Sequence, residues 1–395
     1  MGQNLFYKMQ EDLDKRERLH SLRKIIVKEQ QGPYIKIEDH NYINLSSNDY
    51  LGLGQDKKLS ELFLDNLSED AKRFSSSGSA LLTGAFQSYD RVLNTVENLY
   101  KKKCVFFNSG FAANSGCVKA LLNIPNTLII ADKLSHASII DALIGQKQAL
   151  RYAHNDYEHL RVLIKREALN YENIIVVTEG VFSMDGDRAD IQSLVKLKEE
   201  FPNLYLYVDE AHSFAVFDDL GLGLCHSLHL LDKIDFILCT CGKGLGSQGA
   251  FMLCNEVAQS YFINHVRPLI FSTAMSPLCF EHINFMLNLL PAQNYRRKRL
   301  YKISEYIRST MQTLGLDCVS KSQIIPLLTY ENDHAIYAYE FFKNEGFYAL
   351  PIRHPTVPMH KARLRISLTE SLDDLMVEKL SLTIKKWRKV CDRNS

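Results

Sequence analysis

Short apolar runs recur through the middle of the chain, each bounded by turn-forming residues and separated by longer stretches of helical period. The runs at 105–107, 127–130, 174–177, 204–208 and 236–238 are almost continuously apolar. Strands of that kind belong to a mainly parallel sheet whose two faces are both covered by helices. Ahead of them, 34–37 and 42–45 read as a small hairpin. Residues 11–28 read as a charged amphipathic helix ending before Gly32-Pro33. Past Ser276-Pro277 the pattern changes to a long helical stretch and then to shorter alternating segments, at 325–328 and 363–366. The expected architecture is therefore α/β, in three parts: a helix and hairpin over 1–48, a large α/β domain over 49–290, and a smaller α+β domain over 291–395.

Composition narrows the function classes. The 395 residues are 46% hydrophobic and 24% charged, with a formal net charge of +1. Such a balance provides no strong field toward nucleic acid or an anionic membrane, so an anionic substrate needs a local basic pocket. The opening residues are highly charged and lack the apolar stretch of a signal peptide. No run approaches the roughly 18 apolar residues of a membrane span. The nine cysteines are an odd number without a CxxC pair, which favours neither a disulfide framework nor a metal site. The expectation is a cytoplasmic protein with no metal, nucleic-acid or membrane partner.

Candidate chemistry gathers where the apolar runs end. In an open α/β sheet, ligands bind just beyond the carboxyl ends of the strands. Asp209-Glu210-Ala211-His212 follows the 204–208 run, and Thr240 to Lys243 follows 236–238. Glu179 to Asp185 follows 174–177, and Ser109-Gly110-Phe111 follows 105–107. Lys243 lies between Gly242 and Gly244; taken alone this window reads either as a surface lysine in a glycine turn or as a Schiff-base nucleophile with room for a planar group beside it. Asp209 reads either as a helix cap after a strand or as the carboxylate that holds a protonated pyridine nitrogen, and its spacing from Lys243 on successive strand ends favours the second. The Asn108–Asn114 segment offers a glycine turn into a helix, where backbone N–H groups cradle phosphate. His154 reads as a satisfied structural histidine and Arg363 as one half of a surface or interdomain pair. The basic run Arg296-Arg297-Lys298-Arg299 reads as a solvated helix face, with a contact to CoA phosphate as the alternative.

These segments, in order, resemble the α-oxoamine synthases among the fold-type I pyridoxal-phosphate (PLP) enzymes. The resemblance is carried by Asn48-Asp49-Tyr50-Leu51-Gly52, Ser109 to Asn114, Leu134-Ser135-His136-Ala137-Ser138, Thr178 to Gly186, Asp209 to His212 and the Lys243 turn. It implies PLP as cofactor and a decarboxylative condensation of an amino acid with an acyl thioester. Ala153 to Asp156, His354 to Pro358 and Ala362 to Arg365 are similar to the branch that joins L-alanine to pimeloyl-CoA, or to a pimeloyl carrier protein, in biotin biosynthesis. A branch joining glycine to an acetyl thioester is the alternative.

By the same resemblance Lys243 carries the cofactor as a Schiff base, Asp209 pairs with its ring nitrogen and His136 stacks on its face. Ser183 and His212 bond the ring oxygen and its surroundings, while Thr240 holds phosphate with the amides of Gly110 and Phe111. Ser272 and Thr273 reach the phosphate of a neighbouring subunit, which implies a homodimer. Arg365 grips the amino-acid carboxylate, Asn48 lines the site with His136, and Arg23 and Thr356 contact the acyl substrate.

Overall fold

The computed structural model describes residues 4–19 and 21–394. After a first helix come three strands: β1 (Glu29–Gln31), β2 (Tyr34–Ile37) and β3 (His40–Asn44). The central strands are β4 (Lys103–Phe107), β5 (Thr127–Asp132), β6 (Ala149–Tyr152), β7 (Asn173–Glu179), β8 (Leu204–Asp209), β9 (Phe236–Thr240) and β10 (Ala250–Cys254). They form a seven-stranded sheet in the order β4-β10-β9-β8-β7-β5-β6. Neighbours from β9 to β6 pair in parallel, whereas β10 runs antiparallel to both β4 and β9. All five runs expected to be strands are present, in the α/β arrangement expected.

Alternation along these strands divides the apolar residues between two cores. Cys104, Phe106, Leu128, Ile130, Ile174, Val176, Leu206, Val208, Ile237 and Cys239 face one hydrophobic cluster. Val105, Phe107, Ile129, Ala131, Ile175, Val177, Tyr207, Phe236 and Leu238 face the other. A sheet covered on both sides needs apolar residues at odd and even positions alike, hence the unbroken runs.

The C-terminal part supplies β11 (Ile324–Tyr330), β12 (Phe347–Tyr348), β13 (Pro351–Ile352) and β14 (Ala362–Ser367). β11, β14 and β13 form a three-stranded antiparallel sheet. β12 instead joins the opening hairpin, pairing in parallel with β3 through Phe347 opposite Ile43. The two parts of the chain are clamped by Arg363 of β14, whose guanidinium is buried and ion-paired to Asp185 beyond β7. Gly186, in the same turn, has φ +67°, and a Cβ there would lie 2.0 Å from the Ile324 carbonyl oxygen. Only glycine lets this turn approach β11 so closely.

Two expectations need correction. The first helix spans Leu5–Arg18, capped by Asn4, and does not reach Lys28; residues 21–28 carry no regular structure, and His20 lies outside the described residues. Ile25, Ile26 and Val27 are β-branched and exposed, a poor continuation for a surface helix. The Arg296–Arg299 run lies on the helix Asn294–Thr313 but is not a solvated face. Arg296 bonds Asp56 and the Leu51 carbonyl, buried Arg297 bonds the Leu290 and Asp219 carbonyls, and Arg299 bonds Leu372 O and Asp374. Three of the four cations thus staple the helix to its neighbours.

Candidate active site

Aligned parallel strands bring their terminal polar residues to one rim. Glu179 pairs directly with Asp209 across β7 and β8, and Thr240 ends β9 beside them. A cavity of about 140 Å³ opens above this rim, lined by Gly110, Phe111, Asn114, His136, Glu179, Asp209, Ala211, His212, Thr240 and Lys243.

Asp209 is buried at the cavity floor. Its Oδ2 accepts from Asn114 Nδ2 at 2.7 Å and its Oδ1 from the Ala211 amide at 2.8 Å. Asn114 is fixed in turn by the Tyr207 hydroxyl, which donates to its Oδ1 at 2.7 Å. With each oxygen held by a neutral donor and no ion pair among the described residues, the carboxylate is oriented and free to receive a protonated nitrogen.

Lys243 Nζ is 2.8 Å from His212 Nε2, and His212 Nδ1 is 2.5 Å from the Tyr50 hydroxyl. Burial lowers the lysine pKa to about 8, against the raising charges of Asp209 and Glu179. Burial also pushes His212 well below its ordinary value, and the charges of Lys243 and Arg365 push it further. Neutral His212 therefore accepts from Lys243 at Nε2 and donates from Nδ1 to Tyr50. The Tyr50 hydroxyl then donates to Asn48 Oδ1 at 3.0 Å, an oxygen that also accepts from Arg365 Nη2 at 3.1 Å. One hydrogen-bonded chain joins the amine to the guanidinium. Arg365 is anchored by its Nε on the Ser183 carbonyl at 2.6 Å.

His136 occupies the other wall. Its amide donates to Glu179 Oε1 at 2.5 Å and its Nδ1 lies 2.7 Å from Ser138 Oγ. Burial lowers its pKa, opposed by the charge of Asp209. Burial, reinforced by Asp209, holds the Glu179 carboxyl well above the usual range. The Phe111 ring meets the His136 ring edge-on.

Gly110 and Phe111 begin the helix Gly110–Leu122, capped by Ser109. A Cβ on Gly110 would lie 2.6 Å from Thr240 Oγ1, so glycine brings the first free amides of the helix against that hydroxyl. This corner suits a phosphate. Together with an amine able to lose its proton, an oriented carboxylate and an imidazole wall, the donor set fits PLP.

The remaining expected residues fall into separate places. Asn48, Ser183 and Arg365 join the cavity only through the Tyr50 chain, and Ser183 contributes its carbonyl to Arg365 rather than lining the cavity. Arg23 Nη2 donates to Thr356 Oγ1 at 3.1 Å, and both line a larger groove of about 720 Å³. Ser272 bonds the Pro268 carbonyl, and Thr273 O accepts from Asn108; neither lines the Lys243 cavity. Sequence reasoning assigned no role to Asn114, Glu179, Ser138 or Tyr50. Glu179 had the same signal as Asp209, an acid ending an apolar strand, but Asn114 and Tyr50 gain their places only through tertiary contact. His154 is a structural histidine as expected, its Nδ1 and Nε2 each 2.8 Å from a carboxylate oxygen, of Asp132 and Asp187 respectively.

Residues 40–380 match the family model "Aminotransferase class I and II". A Neisseria meningitidis protein named "Putative 8-amino-7-oxononanoate synthase" is 40% identical over 371 residues, 93% of this chain and 97% of its own. A Haemophilus influenzae protein of the same name is 40% identical over 87% of this chain and 90% of its own. Among solved structures, a serine palmitoyltransferase from S. paucimobilis with a bound PLP–myriocin aldimine superposes with a TM-score of 0.87 at 22% identity, over 97% of this chain and 98% of that one. The 8-amino-7-oxononanoate synthase of Francisella tularensis gives 0.75 at 24% identity, over 89% and 98%.

Proposed function

The chain belongs to the class I and II aminotransferase family, and from that premise we propose that it condenses L-alanine with a pimeloyl thioester, of CoA or a carrier protein, to give 8-amino-7-oxononanoate and CO2. Its cofactor is pyridoxal phosphate. The observation that carries the reading is the convergence of Lys243, Asp209 and His136 on one cavity, in a chain 40% identical along nearly its whole length to proteins bearing that name.

Lys243 would hold PLP through its aldehyde, and the bound cofactor would supply an electron-accepting ring for negative charge on the amino acid's Cα. The protein's own residues do the rest. Asp209, oriented by Asn114, would keep a proton on the ring nitrogen, and His136 would cover the ring face. Gly110, Phe111 and Thr240 bind the phosphate. Arg365, fixed by Ser183 and Asn48, takes the alanine carboxylate by a charge-assisted bond. Once the amino acid has taken its place on the cofactor, the freed Lys243 Nζ, which burial favours in the neutral form, would remove the Cα proton, with His212 Nε2 beside it as a hydrogen-bond acceptor. Arg23 and Thr356 meet the acyl chain in the groove beside them.

Ser272 and Thr273, which do not line this chain's own cavity, are assigned to the phosphate of a second copy in a homodimer. The three-part division at 48 and 290 belongs to the same reading. A panel of alanine, glycine and serine against pimeloyl-, acetyl-, succinyl- and palmitoyl-CoA tests it. Alanine with the pimeloyl thioester is the expected optimum; a preference for glycine with acetyl-CoA overturns it.

A further inference from the structure

A second large hollow lies away from Lys243. This cleft of about 700 Å³ is framed by the 216–219 turn, the helix Asn294–Thr313 and the 321–323 segment, and it shares no lining residue with the Lys243 cavity. Its walls carry Arg188, Arg297, Lys298, Lys302, Arg308 and Lys321, against two acids, Asp218 and Asp219. For a chain of net charge +1, six cations in one concavity are a strong local concentration.

The cations are poorly neutralised. Among the described residues, Arg188, Arg297, Lys298, Lys302 and Lys321 pair with no carboxylate, and Arg308 pairs only with Glu305, which does not line the cleft. Arg188 spends its Nε and Nη2 on the Lys321 carbonyl and stacks over Phe217, leaving Nη1 unspent. Arg297 is 4% exposed, its Nη atoms bond only main-chain oxygens, and its buried Nε has no partner. Burial lowers the pKa of both arginines, and for Arg188 the neighbouring charge of Arg308 adds to the effect. Asp218 and Asp219 oppose the shift of Arg297, and Glu305 that of Arg188, without reversing either; cations removed from water with so little counter-charge are costly, and a bound anion offsets that cost.

We propose that this cleft binds a polyphosphate-bearing small molecule, with the phosphates between Arg188, Arg308 and the lysine rim. The exposed Tyr301 ring offers a stacking face to an attached base. Concavity and volume favour a small ligand over a flat protein partner. The wall also reaches the catalytic chain: Gln323, which lines the cleft, donates from Nε2 to the His212 carbonyl at 2.9 Å. The reading does not depend on the identity of the acyl acceptor.

The test is calorimetric titration of the PLP-loaded enzyme with inorganic pyrophosphate, ATP and CoA, beside a Lys302→Glu/Lys321→Glu double variant. Both lysines are exposed, so the variant is expected to fold as the parent does. Saturable binding weakened by about tenfold or more in the variant, and weakened again by salt, is the expected result. Equal affinity for pyrophosphate and ATP assigns the site to phosphate alone, and tighter ATP or CoA adds the base. Absence of saturable binding at millimolar concentration, or binding unchanged in the double variant, overturns the proposal. Neither outcome alters the substrate panel, so the two readings fail separately.

Discussion

Two histidines near the same sheet rim have opposite electrical states. His154 is gripped at both ring nitrogens by carboxylates, Asp132 and Asp187, with its ring edge-on to Phe182. Burial works against its charge, but the two bonds and two negative charges outweigh burial and raise its pKa to about 10. His212 is wholly enclosed between Tyr50 and Lys243, with cations nearby, and stays neutral. One ring is a charged strut and the other a neutral relay. The difference lies in the charge of what each ring touches, since burial opposes protonation in both.

The largest effect comes from the relay. Lys243→Ala should abolish turnover and the absorbance of the Schiff base between Lys243 and PLP. It also removes a cation that depresses His212, so the His212 pKa should rise, as read by NMR of labelled imidazoles. An unmoved His212 would mean that burial and the remaining cation, Arg365, set its state without Lys243. Next in size is Arg363→Ala, which strands Asp185 and should cost about 3–5 kcal/mol in denaturant unfolding.

His154→Asn tests the strut. It should lose about 2–3 kcal/mol, and its deficit should depend on pH in a set direction. The folded pKa is raised, so the contribution is complete below about 6.5 and disappears as pH rises through about 10. Unfolding midpoints of parent and variant should therefore converge toward pH 10.5; a constant gap would show that His154 acts by packing alone. His212→Asn should behave in the reverse sense. The native ring resists protonation while the unfolded one accepts it, so the parent loses stability below about pH 6.5 and the variant's deficit of about 1 kcal/mol narrows there.

The smallest effect is electrostatic. Asp209 is the leading charge that raises the Lys243 pKa, so Asp209→Asn should shift lysine titration in the apoprotein below about 8. Acylation of Lys243 followed by mass spectrometry across pH reads the shift directly.

The rim was legible because parallel strands need continuous apolar runs and the residues ending them are polar; Asp209, Thr240 and Lys243 stand out for that reason. β6 and β10 were not legible. β6 is a four-residue edge strand, only one of whose residues is buried. The Ala250–Cys254 run looks like any other buried strand, and nothing local states that it inserts antiparallel between β4 and β9. The Arg296–Arg299 cluster misled because sequence gives charge but not carbonyl partners, and the hold on Arg297 comes from Leu290 and Asp219. Tyr50 and Asn114 were hidden for a related reason: their partners lie 162 and 95 residues away.

The parallel pairing of β12 with β3 places Phe347 against Ile43. During synthesis the opening hairpin must wait, with one edge unpaired, until most of the polypeptide has left the ribosome. An exposed strand edge invites pairing with other nascent chains. A late strand therefore closes an opening left by a much earlier hairpin, and truncation that removes β12 should promote aggregation through the free edge of β3.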